Sequence, residues 1–312
     1  MHLLIPFAFC SSEGCATALH ALQLPRLAKL LSRLTPQPLD QGDASSLSTP
    51  HERALARALG LGAADGLLPW AALDAMQTQA APGGWGFITP CHWQFSNQHV
   101  AMSGSPLADF SALESQTLLA TMQPYFEEDG IALHYHQPTC WLARSDAFET
   151  LATASLDRVA GRPVADWLPS ANNAAKLLRL QSEMQMLLYN HPLNEARIAR
   201  GLAPVNSFWL SGTGALHQPL RQPAMNAQPL VVSGLRAAAL SEDWGAWAQA
   251  WSALDASECA ALLKTLDQDD SVQLTLCGER NAQTFEASRT RNLKRFMRLF
   301  GTRPASKILL QL

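Results

Sequence analysis

The segment from Asn190 to Gly214 constrains this chain more tightly than any other. It reads Asn190-His191-Pro192-Leu193-Asn194-Glu195-Ala196-Arg197 and then Gly201-Leu202-Ala203-Pro204-Val205-Asn206-Ser207-Phe208-Trp209-Leu210-Ser211-Gly212-Thr213-Gly214. The pattern predicts a short helix, a Gly-Pro turn, and an apolar strand running into a glycine-flanked loop. A link that short packs the helix beside the strand, bringing Asn194 or Arg197 to the strand's start. His191, Asn194 and Arg197 recur at i, i+3 and i+6. Pooled on one side, an imidazole, an amide and a guanidinium suit a small carboxylate or phosphate. The other reading of the same residues is a brace for the turn to Asn206.

The remaining sequence is that of a folded globular protein. At 312 residues, 47% hydrophobic and 16% charged, the chain can bury a large core as one α/β domain or as a core with an insert. A net charge of −3 and a pI near 6.3 argue against a dedicated nucleic-acid binder. Six scattered cysteines without C-x-x-C spacing suggest buried, reduced thiols in the cytoplasm. Residues 2–9 are apolar but lack the cationic flank of a signal peptide, so they are expected to form the first buried strand. No apolar run reaches membrane-spanning length.

Along the chain, leucines at helical spacing predict a helix over 22–34. Thr49-Pro50-His51-Glu52 predicts a helix start, and a further helix begins near Pro69-Trp70. After the breaker Ala81-Pro82-Gly83-Gly84, strands are expected at 86–89, 91–95 and 99–102. A helix at about 111–125 and strands at 131–136 and 140–143 follow, outlining a small α+β insert. An amphipathic helix spans 172–189, and strand 205–210 returns the chain to the larger sheet. The last third predicts strand 229–233, a helix over 242–265 carrying Trp244, Trp247 and Trp251, strand 271–277, helix 289–300 and strand 307–312. Helices alternating with apolar strands give a layered α/β domain.

Four stretches in order resemble archaeal-type cofactor-independent phosphoglycerate mutases of the alkaline-phosphatase superfamily. They are Gly84 to His92, Gly130 to Tyr135 followed by Thr139 to Ala143, Ser155 to Pro169, and the His191–Gly214 segment. The likeness runs over roughly residues 45–215, and extends to a bacterial branch labelled phosphoglycerate mutase or pathogenicity-factor E type regulatory protein. It implies a three-layer core with a mostly parallel sheet, formed by residues 1–83 and 201–312, with an α+β domain inserted at 84–200. It also implies a substrate site around His191, Asn194, Arg197, Asn206 and Asp157.

Departures fall where that superfamily keeps its chemistry, two metal ions and an activated Ser or Thr. The Asp-Gly expected after the first strand is Pro6-Phe7, and the nucleophile's Gly-Ser-Asp is Pro50-His51-Glu52 preceded by Thr49. A late Gly-Asp-His becomes Gly278-Glu279-Arg280, and His217 is the lone histidine between 214 and 270. No metal or cofactor is therefore expected, and the resemblance points to a catalytically degenerate binding or regulatory protein. Its ligand would be a small phosphorylated or carboxylate molecule, or a protein partner. The rival is an active phosphotransferase using Thr49 or His51, although a helix cap with a first-turn acid accounts for Thr49, Pro50 and Glu52. His92, His99, His134 and His136 lack the spacing of a closed metal site and read as ordinary strand histidines. Arg289, Arg291, Lys294, Arg295, Arg298, Arg303 and Lys307 form a basic C-terminal run, read as a solvated helix face.

Overall fold

The computed structural model describes residues 1–169, 171–216, 228–287 and 304–312, the side chains of 171–173 excepted. The chain opens with the wholly buried strand β1 (His2–Ile5). Helix α1 (Glu13–Ala21) is capped by Ser12, whose hydroxyl accepts from the Cys15 amide. Helix α2 (Pro25–Arg33) begins with Pro25 but has no capping side chain of its own at Leu24. The buried Asp255 carboxylate takes over, accepting from Leu27 N at 2.7 Å and Arg26 N at 3.3 Å. Strand β2 (Thr35–Pro36) and helix α3 (Pro50–Ala58) follow, α3 opening with a reciprocal Thr49–Glu52 capping box.

Next come α4 (Trp70–Gln77), β3 (Gly84–Cys91), β4 (Trp93–Phe95), β5 (Val100–Met102), α5 (Ala112–Glu128), β6 (Ala132–Gln137) and β7 (Cys140–Arg144). Then follow α6 (Leu156–Val159), α7 (Ala171–Tyr189), α8 (Pro192–Ala199) and β8 (Ser207–Ala215). The last third holds β9 (Leu230–Val231), α9 (Arg236–Leu240), α10 (Trp244–Ala256), α11 (Glu258–Asp267), β10 (Gln273–Cys277), β11 (Ala282–Glu286) and α12 (Ala305–Leu309).

These elements divide into two compact units, residues 1–61 with 220–312, and residues 62–219. In the first, the sheet order is β2-β11-β10-β1-β9. β1 pairs parallel with β10 and β9, whereas β11 pairs antiparallel with β10 and β2. The sheet is thus partly parallel rather than mostly so, because β10 turns straight into β11 through the short connection 278–281. Leu3 and Ile5 join an apolar cluster with Leu27 and Leu30 of α2, Trp247 and Trp251 of α10, and Leu262 of α11. Leu4 points the other way, into a cluster with Ala54 of α3 and Cys277. That alternation is the two-residue period of a strand buried on both faces.

The second unit holds an antiparallel sheet, β6-β7-β3-β8, and the separate hairpin β4-β5. Leu118, Met122 and Phe126 of α5 and Leu180, Met184 and Leu188 of α7 share its apolar cluster with Phe208 and Leu210 of β8. Strand 205–210 therefore does not rejoin the larger sheet. β8 lies against β3, so this unit begins before residue 84 and continues past residue 200. The glycine-flanked loop is also strand. Between the pairs Trp85–Gly214 and Phe87–Ser211, β8 carries two residues against one on β3, a bulge. Gly212 at φ 62° supplies the left-handed turn this requires.

Two more expectations change in the C-terminal third. The helix over 242–265 is broken at Ser257 into α10 and α11, and 307–312 is not a strand, since Ala305–Leu309 is helical. An apolar run that short does not distinguish helix from strand. The expected helix 289–300, the basic residues Arg289 to Arg303 and His217 lie outside the described residues; Lys307 is on α12. Among the described residues no helix is long and apolar enough to cross a membrane.

His2 is buried in β1, with Nε2 2.9 Å from Thr275 Oγ1. Burial, helped by the nearby N-terminal ammonium, lowers its pKa to about 4. Between the ordinary value of about 6.5 and about 4, the unfolded chain binds a proton that the native chain refuses. Stability therefore falls as pH drops through that window, by up to about 3 kcal/mol, and levels off below it. Urea unfolding at pH 7, 5.5 and 4 should show this loss, and His2→Asn should flatten it.

Candidate functional site

In a sheet with parallel strands, ligands gather at the strands' carboxyl ends. In the first unit those ends are the loops after β1 and β10, with the start of α3 as the third candidate element. The loop after β1 is held hard. Ala8 N donates to Cys277 O at 2.7 Å, and two indoles of α10 reach the loop carbonyls, Trp247 Nε1 to Phe7 O at 2.9 Å and Trp251 Nε1 to Ala8 O at 3.2 Å. Phe7 has a φ of 56°, a left-handed conformation that costs a bulky residue strain. Its ring lies 5.4 Å from the His51 ring, centroid to centroid.

At the start of α3, Thr49 is buried and its hydroxyl is shared three ways. Oγ1 donates to Glu52 Oε2 at 2.9 Å, accepts from the Glu52 amide at 3.3 Å, and stands 3.1 Å from His51 Nε2. Glu52 Oε2 also accepts from Thr49 N at 2.8 Å. Arg53, on the next turn, ties three loops together. Its Nη1 donates to Ser48 O at 3.0 Å, Nη2 to Arg280 O at 2.8 Å, and Nε to Asp40 Oδ2 at 3.3 Å. Glu279 Oε2 accepts from Ser11 N at 3.0 Å, linking the loop after β10 to the loop after β1. Among the described residues no three His, Cys, Asp or Glu side chains converge as a metal-binding group.

In the second unit the structure brings His191, Asn194, Arg197 and Asn206 into one hydrogen-bonded hinge. Asn194 is buried. Its Oδ1 accepts from Val205 N at 2.8 Å, and its Nδ2 donates to Val205 O at 2.7 Å and Leu188 O at 2.8 Å. Asn206 treats Trp93 in the same way, accepting from its amide at 2.7 Å and donating to its carbonyl at 2.8 Å. Each amide side chain thus takes the place of a strand partner. His191 caps α8 through Nδ1, which accepts from Leu193 N at 3.2 Å. That leaves Nε2 to donate to Thr121 Oγ1 at 3.3 Å.

Arg197 is fully buried. Nε donates to Ala203 O and Nη2 to Ala108 O, each at 2.9 Å, and Nη1 lies 3.3 Å from Glu114 Oε2. The guanidinium also sits over the Phe110 ring, 5.4 Å from its centroid. Burial would raise the Glu114 pKa, but the Ser111 amide and the Arg200 and Arg197 guanidiniums outweigh it and hold the carboxyl below its usual value. Asp157 sits in the first turn of α6, where its amide donates to Ser155 Oγ. Sequence reasoning missed Glu114. Its signal was present in Ser111-x-x-Glu114, a capping box. A groove of about 500 Å³ elsewhere in this unit is lined by Glu127, Arg144, Ser145 and Asp146, none of them expected from the sequence.

His134 packs on Trp85 with ring centroids 5.6 Å apart, and His136 Nε2 lies 3.7 Å from Asp74 Oδ2, as neighbours across strands and helix. His92 Nδ1 donates to Pro204 O at 2.9 Å, another tie across the Asn206 hinge.

No protein-family model matches the chain. A 2,3-bisphosphoglycerate-independent phosphoglycerate mutase of Methanothrix thermoacetophila is 38% identical over 56 residues. A probable enzyme of the same name from Geobacter sulfurreducens is 36% identical over 56 residues. Over that stretch the chain is phosphoglycerate-mutase-like. The matches span 18% of this chain and 14% of each relative's length. Two solved structures are also similar. A cofactor-independent phosphoglycerate mutase from Thermoplasma acidophilum has 12% identity and a TM-score of 0.36, covering 99% of this chain and 98% of the other. A protein of Pyrococcus horikoshii has 13% identity and a TM-score of 0.43, covering 94% of this chain and 89% of the other.

The bonding of Arg197 generates a stability prediction. Arg197→Ala removes a buried cation bonded to two carbonyls and leaves Glu114 without its inner partner. It should lower the unfolding free energy by about 3–5 kcal/mol in chemical denaturation. Arg197→Lys should recover little of it, because an ammonium cannot reproduce the fork.

Proposed function

We propose that this chain is a catalytically degenerate relative of the phosphoglycerate mutases that works by binding, as a regulatory protein, rather than by phosphoryl transfer. In this reading residues 1–61 and 220–312 are an alkaline-phosphatase-like three-layer core, and residues 62–219 are its inserted domain. Support for the layers comes from β1, whose Leu3 and Ile5 face one group of helices while Leu4 faces α3.

The observation that carries the functional reading is the donor set around Thr49. Among the described residues it comprises one imidazole and one carboxylate, both already bonded to the Thr49 hydroxyl, with the carboxylate turned back on its own helix amide. A dinuclear site asks for about six nitrogen and oxygen ligands. At the place of the first ligand stand Pro6 and Phe7. Pro6 offers no carboxylate to a metal, and Phe7, in a left-handed conformation, sets its ring beside His51. Glu279 serves the Ser11 amide. The described residues therefore do not fit the metal pair. In the second unit, the hinge around Asn194, Arg197 and Asn206 is read as the brace that holds α8 to β8. A small phosphorylated or carboxylate ligand would have to be met by groups other than these three.

A second reading, an active phosphotransferase, is favoured by one distance. His51 Nε2 lies 3.1 Å from Thr49 Oγ1, so turning the hydroxyl proton from Glu52 to His51 would set a general base beside a nucleophile.

Elemental analysis after dialysis, together with a 3-phosphoglycerate turnover assay in the presence of Mn²⁺ and Mg²⁺, separates the two. The expected result is less than one equivalent of transition metal per chain and no 2-phosphoglycerate. Turnover that disappears in Thr49→Val would replace the first reading with the second. Two stoichiometric metals would overturn it as well.

A further inference from the structure

Cys10 and Cys15 bracket the turn between β1 and α1, with only Ser11, Ser12, Glu13 and Gly14 between them. Their side chains meet. The Cys10 amide donates to Cys15 Sγ at 3.4 Å, and the Cys10 thiol is hydrogen-bonded to the same sulfur. The turn that brings them together is fixed from outside. Ser12 caps α1 through the Cys15 amide, and Glu279 holds the Ser11 amide. Gly14 admits the Trp244 indole so closely that a Cβ there would lie 2.4 Å from Trp244 Cδ1. The two sulfurs are also unlike in access: Cys15 is fully buried, whereas Cys10 is only partly so.

The other four cysteines are solitary, and burial raises their thiol pKa values, to about 12 for Cys140 and Cys259 and further for Cys91 and Cys277. The hydrogen bond from Cys10 does the opposite for Cys15, drawing its thiol below the ordinary value against the effect of burial.

We propose that Cys10 and Cys15 are an oxidation site that a hydroperoxide closes to an intrachain disulfide, clamping the loop at the carboxyl end of β1. Cys10, the less buried of the two residues, attacks the peroxide once it has given up its proton. A sulfur–oxygen bond forms, the oxygen–oxygen bond breaks, and the alcohol leaves. The resulting sulfenic acid is attacked by the Cys15 thiolate, whose sulfur–sulfur bond displaces hydroxide, released as water. Two thiols lose two electrons and two protons, and the peroxide is reduced to alcohol and water. Cys15 Sγ already lies 3.4 Å from the Cys10 amide, and both residues lie beyond the paired residues of β1, so closure acts on the turn rather than on the strand. The clamped segment carries the Phe7 and Ala8 carbonyls bonded by Trp247 and Trp251, so closure also acts on the environment of two buried indoles.

The test uses the natural chain. It is treated with hydrogen peroxide, blocked with N-ethylmaleimide and digested with trypsin, which leaves both cysteines on the single peptide Met1–Arg26. The expected peptide is two hydrogens lighter and unlabelled. A further cut after Glu13 should give two pieces that separate only on reduction, while Cys91, Cys140, Cys259 and Cys277 still take label once the chain is unfolded. Trp fluorescence should change with oxidation and return on reduction. Recovery of Cys10 as sulfinic acid with Cys15 labelled would overturn the proposal. So would disulfide-linked dimers through Cys10, or both thiols labelled at oxidant levels that modify Cys140. In Cys15→Ser, oxidised Cys10 should be trapped by dimedone; absence of that adduct in folded variant protein would count against Cys10 as the attacking sulfur.

Discussion

The first unit rests on β1. Four residues, His2 to Ile5, pair with β10 on one side and β9 on the other, so strands more than two hundred residues away in sequence complete their backbone hydrogen bonds. A strand in that position has no solvent face. Its side chains must be apolar in both directions, and its one polar member, His2, must find a partner or lose its charge; it does both through Thr275 and a lowered pKa. Pairing across such a sequence gap is entropically expensive, and the return comes only when the helices of residues 236–267 cover Leu3 and Ile5. The loop that leaves β1 inherits this order. Two indoles, the Cys277 carbonyl and the Glu279 carboxylate hold it in place, and it can therefore keep Phe7 in a strained conformation and Cys10 against Cys15.

The second unit solves the same problem by different means. Where its chain leaves regular pairing, primary amides stand in for backbone. Asn194 closes α8 onto Val205, and Asn206 closes β8 onto Trp93, each with a donor and an acceptor from one side chain. Arg197 then fills the space beneath, neutralised by Glu114 and bonded to carbonyls on two loops. A buried guanidinium so fully engaged has little left to offer a ligand. An amide and a guanidinium that suit an anion when exposed are spent here, at Asn194 and Arg197, on a buried joint.

Much of the architecture was legible in the chain. The capping residues Thr49 and Glu52, the breaker at 81–84, the alternation of 131–143 and the Gly-Pro link at 201–204 are local signals, and each marks an element boundary in the folded protein. What failed did so where the deciding interaction is distant. Nothing near Val205 reveals that its strand belongs with β3, because an apolar strand serves either sheet. Gly212 and Gly214 looked like a loop, since a bulge needs the same positive-φ residues as a turn. The start of α2 lacks a cap in sequence because Asp255, 228 positions from Leu27, supplies it.

The sequence by itself determined most element types, though not the helix at 305–309 or the strand through Gly212 and Gly214; it also determined the absence of the Asp-Gly and Gly-Asp-His signatures and the crowding of polar groups between His191 and Asn206, all matters of residue identity and short spacing. Tertiary structure alone decided which sheet each strand joins and that Arg197 meets Glu114. It also decided that the carbonyls of Phe7 and Ala8 are held by tryptophans of α10, and that Cys10 and Cys15 face each other across a turn fixed by Glu279. Those outcomes depend on contacts between residues tens to hundreds of positions apart. There the entropy of closing the chain is recovered only by burying the whole assembly at once, and no local pattern records it.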